Sequence, residues 1–321
     1  MKPVDPATRP IVVGFDPQTL DRAPVHFGIA AARLTGSPLI VVSACAPAPV
    51  VDALPPANAD DELTDLGVQA MSELKGEVHA GSVEVYYRER RGRSAPHVLH
   101  EEARRGGARL LVVGSTSRGV VGRVAPGSTA ERLMHGAPCA VAVVPNGWDA
   151  HTSIATIGVA FAETDEGFAA LRGAYGLAER SNASLRVLSV VRVRPSDYGE
   201  IEASGGFGRG GDLVDVEGEH RRTLETAMRN AVARLPGLAS DVRVEIDAFV
   251  GDPADTLIGI SENLDLLVCG SRGYGPLHAA LLGGVSRRIT AAAHCPVIVL
   301  ARGVDAPLEP LLAADYLGAA G

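Results

Sequence analysis

The chain consists of two similar halves, and this internal repeat constrains the fold more than any other feature. Residues 11–16, IVVGFD, resemble residues 157–162, IGVAFA, and residues 110–115, LLVVGS, resemble residues 266–271, LLVCGS. Two copies of roughly 150 residues each are too few and too long for a solenoid, and each is the size of an ordinary domain. The 321 residues are therefore predicted to form a tandem duplication, with domains at 1–147 and 148–303 and a C-terminal tail at 304–321.

Within each half, short apolar runs alternate with segments of helical spacing. In the first half we expect strands at 11–15, 39–45, 83–90, 110–114 and 140–144, and helices at 20–34, 60–74, 94–104 and 129–135. Apolar strands between helices form a parallel sheet that is covered on both faces. The predicted fold class is α/β, with two tandem doubly wound domains, each a five-stranded parallel sheet with helices on both faces. Ligands of such domains bind at the carboxyl ends of the strands.

Charge and hydropathy exclude two classes of partner. The chain has 30 Lys and Arg against 38 Asp and Glu, a net charge of −8, and no basic stripe. We therefore expect no nucleic-acid partner, because binding through phosphates requires clustered positive charge. The apolar runs have the length of strands, far below the ~20 residues that cross a bilayer, so we expect no membrane partner.

The N-terminal segment and the cysteines favour a cytoplasmic protein. Residues 1–10, MKPVDPATRP, contain no apolar signal region. The four cysteines form no CxxC pair, and each lies among apolar residues, which favours reduced core cysteines over a disulfide or a zinc site. They are Cys45, Cys139, Cys269 and Cys295.

A glycine-rich loop follows the fourth strand in both halves. Glycines let a ligand approach the backbone, and a helix that begins behind them offers N–H groups and hydroxyls, which suits phosphates. The alternative is a sharp strand–helix connection with capping residues. In the first half the loop and helix start contain Gly114, Ser117, Gly127, Ser128 and Thr129. In the second half they contain Gly270, Gly273, Gly283, Gly284, Val285 and Ser286.

Other motifs point away from catalysis. Residues 206–211, GFGRGG, match GxGxxG, but they follow a strand through a long loop, so we expect a flexible loop rather than a dinucleotide site. The sequence has no Gly-Lys pair, which excludes a P-loop, and neither HxGH nor SGGxDS, the adenylation motifs of related folds. We therefore expect no enzyme.

In the second half, Gly270, Gly273 and Gly283 have the spacing G-x2-G-x9-G. This loop, together with the segments 137–145 (APCAVAVVP) in the first half and 294–300 (HCPVIVL) in the second, resembles the universal stress protein family. The resemblance covers both halves, roughly residues 9–147 and 153–302. It implies a tandem universal stress protein that binds ATP, with Mg²⁺, and acts in a stress response without rapid catalysis. Some members of the family bind no nucleotide, so the alternative is a nucleotide-free protein-interaction module.

The resemblance also assigns site residues. ATP-binding members use an aspartate after the first strand, which is Asp16 in the first half, whereas the second half has Ala162. The adenine position after the second strand corresponds to Ala44 and Val190. The glycine-rich loops listed above would hold the phosphates, and Gly284 stands where the family has serine.

These differences favour the first half as the binding half. It keeps Asp16 for the nucleoside, and Arg118 and Arg123 in its loop can offset phosphate charge. The second half has the more regular loop glycines but lacks the carboxylate.

The duplication further predicts an intramolecular pseudo-dimer. An interface that relates two copies by a two-fold axis is self-complementary, so a duplicated gene can reproduce a homodimer within one chain. The resemblance implies that the last strands of the halves, 140–144 and 297–300, meet at this interface. A homodimer of the whole chain is left open.

Overall fold

The computed structural model describes residues 9–45, 59–78, 80–116, 121–149, 151–192, 216–235, 241–271 and 283–300, and all structural statements below concern these residues. The first half contains the strands β1 Ile11–Phe15, β2 Leu39–Cys45, β3 Val85–Arg91, β4 Leu110–Gly114 and β5 Ala140–Val144. Its helices are α1 Ala23–Thr35, α2 Ala59–Glu77, α3 Ala95–Arg105 and α4 Ser128–Met134.

The second half repeats this order of elements. Its strands are β6 Thr156–Ala160, β7 Ser184–Val191, β8 Val244–Val250, β9 Leu266–Gly270 and β10 Val297–Leu300. Its helices are α5 Asp165–Ser181, α6 Val216–Val232, α7 Pro253–Ile260 and α8 Gly284–Ala292, with a 3₁₀ turn at Ser261–Asn263. None of the helices in the described ranges is both long and apolar enough to cross a membrane.

All ten strands form one sheet in the order β3-β2-β1-β4-β5-β10-β9-β6-β7-β8. The strands of each half are parallel, and the halves join where β5 pairs antiparallel with β10, with Ile298 opposite Ala142. β5 pairs with β4 and β10, and β10 pairs with β5 and β9, so neither strand leaves an open edge. Every residue of both strands is buried. When each strand of the first half is matched with its equivalent in the second, the strand order read from the β3 edge is the same as that read from the β8 edge. The predicted contact between the last strands is confirmed.

Two apolar layers cover the sheet because successive strand residues point to opposite faces. On β1, Ile11 and Val13 belong to one core cluster and Val12 to the other. The first cluster includes residues of α1, α2, α5 and α6, and the second includes residues of α3, α4, α7 and α8. Each cluster extends across both halves. The predicted doubly wound fold, with helices on both faces, is confirmed.

The first-half helix boundaries agree with the sequence patterns to within one residue except at the start of α1 and at the end of α2, which extends to Glu77 instead of residue 74. Ser94 caps α3, since its Oγ accepts a hydrogen bond from His97 N at 3.4 Å. The expectation that α1 begins at residue 20 is wrong. Leu20 has a left-handed backbone, φ 52°, which a helix does not accommodate. Asp21 Oδ1 then accepts a hydrogen bond from Ala23 N at 3.0 Å, and α1 begins at Ala23.

Candidate functional site

A cleft of about 440 Å³ opens at the carboxyl ends of β1, β2 and β4 in the first half. This volume lies within the range of ordinary small-molecule sites. Arg123, whose charge was expected to offset phosphate charge, is described but does not line the cleft. The cleft brings together the other six described first-half residues that the sequence predicted for the site. These residues are Asp16, Ala44, Gly114, Gly127, Ser128 and Thr129.

The loop that follows β1 holds one side of the cleft open. Asp16 is exposed, and its Oδ1 accepts a hydrogen bond from Gln18 N at 2.9 Å. Its carbonyl oxygen accepts a second hydrogen bond, from Leu20 N at 3.1 Å. An aspartate that bonds the backbone two residues later stabilises a turn rather than a helix. Residues 16–22 therefore form a turn that delays α1 and leaves the end of β1 accessible.

The opposite side of the cleft is formed by the end of β4 and the start of α4. A side chain on Gly114 would place its Cβ 2.9 Å from Pro24 Cγ, so glycine is required where α1 crosses the strand end. Beyond it, Ser115 Oγ donates to Val144 O at 3.0 Å and accepts from Ala125 N at 3.1 Å. These bonds hold the loop backbone at the cleft wall.

Asp21 is a cleft residue that the sequence reasoning missed. It is half-buried, and its buried Oδ2 has no hydrogen-bond partner among the described residues. Burial raises the pKa of Asp21, although the hydrogen bond from Ala23 N and the charges of His26 and Arg22 act in the opposite direction. Asp21 lies one residue before the N-cap Arg22 and bonds the backbone two residues later, so it forms a turn rather than a helix cap. No sequence pattern marked it as a cleft residue.

At the equivalent position in the second half, the described residues enclose a cavity of only about 40 Å³. There α5 begins at Asp165, the counterpart of Thr19, about one helical turn earlier than α1 begins. Thr164 caps it by accepting from Gly167 N at 3.1 Å. A Cβ on Gly167 would lie 2.0 Å from Ala162 O. The first turn of α5 therefore packs directly onto the end of β6.

Comparison with known proteins identifies the family of the chain. The model of the universal stress protein family matches twice, over residues 7–145 and 154–301. The chain belongs to the universal stress protein family. A universal stress protein of Mycobacterium tuberculosis is 27% identical over 305 residues, covering 90% of this chain and 99% of that one. A relative from Mycolicibacterium smegmatis is 27% identical over 301 residues, covering 90% of this chain and 96% of that one.

Solved structures agree with the fold. The crystal structure of a universal stress protein from Archaeoglobus fulgidus matches with a TM-score of 0.60 at 15% identity, over 92% of this chain and 97% of that one. At this identity the match supports the tandem architecture and carries no information on ligands.

The described second-half residues that the sequence of this universal stress protein predicted for the site lie around the small cavity or beside it. The hydroxyl of Ser286 donates to Gly270 O at 2.8 Å, so it is already used inside the protein. Val190, Gly270, Val285 and Ser286 line the cavity. Gly283 caps α8, and Gly284, its first residue, is exposed.

Several predicted features lie outside the described residues. They are Ser117, Arg118, Gly273, the GxGxxG segment 206–211 and the tail 304–321.

The cysteines of this universal stress protein that the structure describes are free and buried, and burial raises the pKa of each thiol to about 12. They are Cys139, Cys269 and Cys295. A thiol with so high a pKa is a poor nucleophile. Over the described ranges, no group of three or more His, Cys, Asp or Glu side chains is placed to hold a metal ion.

Proposed function

We propose that this universal stress protein binds ATP, with Mg²⁺, in the cleft of its first half, and acts in a stress response without rapid turnover of the nucleotide. The observation that carries the proposal is the cleft itself. Its volume is sufficient for a nucleotide, and Asp16, Ser128 and Thr129 all line it.

The lining suits the parts of a nucleotide. Ala44 and the apolar side chains of Val42 and Leu99 offer a surface for a flat base between β2 and α3. Asp16 Oδ1 already accepts a backbone bond, but a carboxylate has further lone pairs for ribose or adenine donors. Ribose and base would therefore lie toward Asp16.

The phosphates would lie toward α4. Gly114 and Gly127 have no side chains, so phosphates can approach the backbone there. The hydroxyls of Ser128 and Thr129 provide hydrogen-bond donors. Asp16 and Asp21 are the two carboxylates among the described lining residues. Two carboxylates are too few for an all-protein metal cage, so Mg²⁺ would enter with the phosphates, as it commonly does.

The contrast between the halves supports a single binding site per chain. A space of about 40 Å³ in the second half is far below the ~300 Å³ of the smallest ordinary ligand pockets. We therefore expect one nucleotide per chain, bound by the first half.

Calorimetric titration of the full chain with ATP and Mg²⁺ tests the proposal. Asp16→Asn keeps the turn oxygen but removes the charge, and Thr129→Val removes a hydroxyl. Asp16→Asn is expected to weaken binding about tenfold or more, the equivalent of a charge-assisted hydrogen bond, and Thr129→Val by less. Val285→Thr, the reverse change at the equivalent position of the second half, is the matched control and should leave affinity unchanged.

Two further measurements separate the alternatives. Denaturing the protein purified without added nucleotide should release ATP or ADP at no more than one per chain. Phosphate release from the ATP complex should be slow compared with ordinary enzymes. Absence of binding at millimolar ATP would reject the proposal in favour of a nucleotide-free interaction module.

A further inference from the structure

The loop segment 121–126, called here the bridging segment, connects the cleft of the first half to the second half. On the cleft side, Thr116 N donates to Ala125 O at 2.7 Å. On the opposite side, Val124 N donates to Ala293 O, in the second half, at 2.7 Å. The same six residues therefore hydrogen-bond to the cleft wall and to the other domain.

An apolar contact accompanies this hydrogen bond. Val124 is 1% exposed although it lies in a loop, and it belongs to the same core cluster as Ala293 and Ile289 of the second half. Val121, three residues earlier, is 76% exposed. The bridging segment therefore has one side chain, Val124, buried in a core that includes residues of the second half.

Arg123 and His294 form a polar contact beside Val124. Arg123 Nε donates to His294 Nε2 at 2.7 Å. A ring nitrogen accepts a hydrogen bond only when it carries no proton, so His294 must be neutral with its proton on Nδ1. Nδ1 lies 3.5 Å from Ser261 Oγ and 3.4 Å from Ile258 O, both of which can accept that proton's hydrogen bond.

Two charged side chains face the imidazole in the described part of the chain. Arg123 approaches from the bridging segment, and Glu262 Oε1, from the 3₁₀ turn, lies 3.5 Å from His294 Nε2. A proton on Nε2 would repel the guanidinium and donate to the carboxylate. The charge of His294 thus selects between a partner in the first half and one in the second.

We propose that the second half positions the phosphate side of the first-half cleft through this contact, with Arg123 and His294 as positioning residues, and that protonation of His294 weakens nucleotide binding. The inference rests on the proposed function for its ligand. When Arg123 is released, the bridging segment loses one of its anchors to the second half. The Ser115 and Thr116 backbone at the cleft wall must then be ordered by the nucleotide, at a cost in affinity.

Titration with ATP at about pH 8 and at about pH 5.5 tests the inference. Three variants are compared with the wild type: His294→Gln, His294→Ala and His151→Gln. A glutamine amide oxygen accepts the Arg123 bond without titrating. Because the terminal phosphate of ATP also titrates, each protein is compared with His294→Gln at the same pH.

At the higher pH the wild type and His294→Gln should bind equally. At the lower pH the wild type should bind about tenfold more weakly than His294→Gln, the equivalent of one charge-assisted hydrogen bond. His294→Ala should be weak at both values. His151 is exposed and outside the contact, so His151→Gln should follow the wild type. Equal losses in the wild type and His294→Gln on acidification would overturn the inference.

A second measurement needs no nucleotide. Hydrogen exchange of the Val124 amide, compared at one pH above 7, should be faster in His294→Ala than in His294→Gln. Unchanged protection in His294→Ala would reject the anchoring role. If neither the wild type nor any variant binds ATP, but the Val124 amide exchanges faster in His294→Ala, the proposed function is wrong and the anchoring role of His294 is supported.

Discussion

Replacing Glu102 by glutamine is expected to destabilise the protein far more than the same change at the adjacent Glu101. Glu102 lies on α3 and is 4% exposed. It accepts hydrogen bonds from Arg88 Nη1 at 2.8 Å and from Arg90 Nε at 2.5 Å. These bonds fasten α3, which lines the cleft through Ala95, to the edge strand β3.

The size of the effect follows from the exposure of the partners. The side chain of Arg88 is 16% exposed and that of Arg90 is 40% exposed. Removing one member of a buried ion pair costs about 3–5 kcal/mol, because the other charge remains buried without a counter-charge. Arg90 reaches water, so its part of the loss is smaller. Glutamine keeps one acceptor, and we expect a loss of about 3 kcal/mol in the free energy of unfolding at neutral pH.

The pH dependence gives an independent check. Burial raises the pKa of Glu102, but the hydrogen bonds from Arg90 and Arg88 outweigh it, and the pKa is lowered. A carboxyl whose folded pKa lies below its unfolded value stabilises the protein above the unfolded value, about 4.3 for glutamate, and loses this effect as the pH falls through the folded value. The difference between the wild type and Glu102→Gln should therefore shrink below about pH 4.5.

Urea unfolding followed by tryptophan fluorescence measures the effect. Trp148 is the only tryptophan in the chain, and its ring packs edge-on against Phe27 of α1 with centroids 5.3 Å apart. Glu101 pairs with the exposed Arg104 on the same helix, so Glu101→Gln should leave the midpoint unchanged. Equal midpoints for the two variants at neutral pH would refute the reasoning and show that Arg88 relaxes into water.

Three further predictions concern packing, charge and reactivity. Gly28→Ala should cost about 1–3 kcal/mol in urea unfolding, because its Cβ would lie 2.4 Å from Val13 Cγ2. Asp21→Asn should stabilise the protein at neutral pH, since burial raises the pKa of Asp21 and its charge becomes more costly as the pH rises; the gain should vanish in acid. The variant Cys45→Ser keeps three cysteines, Cys139, Cys269 and Cys295, whose thiols are buried. A thiol reagent at about pH 8 should react with these thiols only after the protein unfolds.

The sequence predicted the strands well because their apolar runs are local and continuous. β1, β2, β4 and β5 have the expected bounds, since nearly all of their described residues are buried and Ser43 of β2, itself buried, is the one polar side chain among them. The edge strand β3 begins two residues later than expected, at Val85. Its residues are only partly buried, so the hydrophobic pattern there is weaker.

The candidate site was predicted only in part. Glycine, serine and aspartate at the ends of strands indicated the first-half cleft, because the carboxyl ends of parallel strands share one edge of the sheet. The same reasoning placed equivalent residues in the second half, where the cavity is small. The difference depends on where a helix begins, at Asp165 instead of Ala23. Helical spacing predicts that a helix is present, but it does not fix the first residue of the helix to within one turn.

The sequence by itself therefore determined the duplication, the parallel sheets and the residues at the strand ends, since these follow from local apolar runs and from similarity between the halves. Tertiary structure alone decided which cleft is open and what supports it. Arg123 and His294 are 171 residues apart in the chain, and no local pattern relates them. They meet because β5 and β10 pair antiparallel, which brings a loop of one half against the residues that precede the last strand of the other.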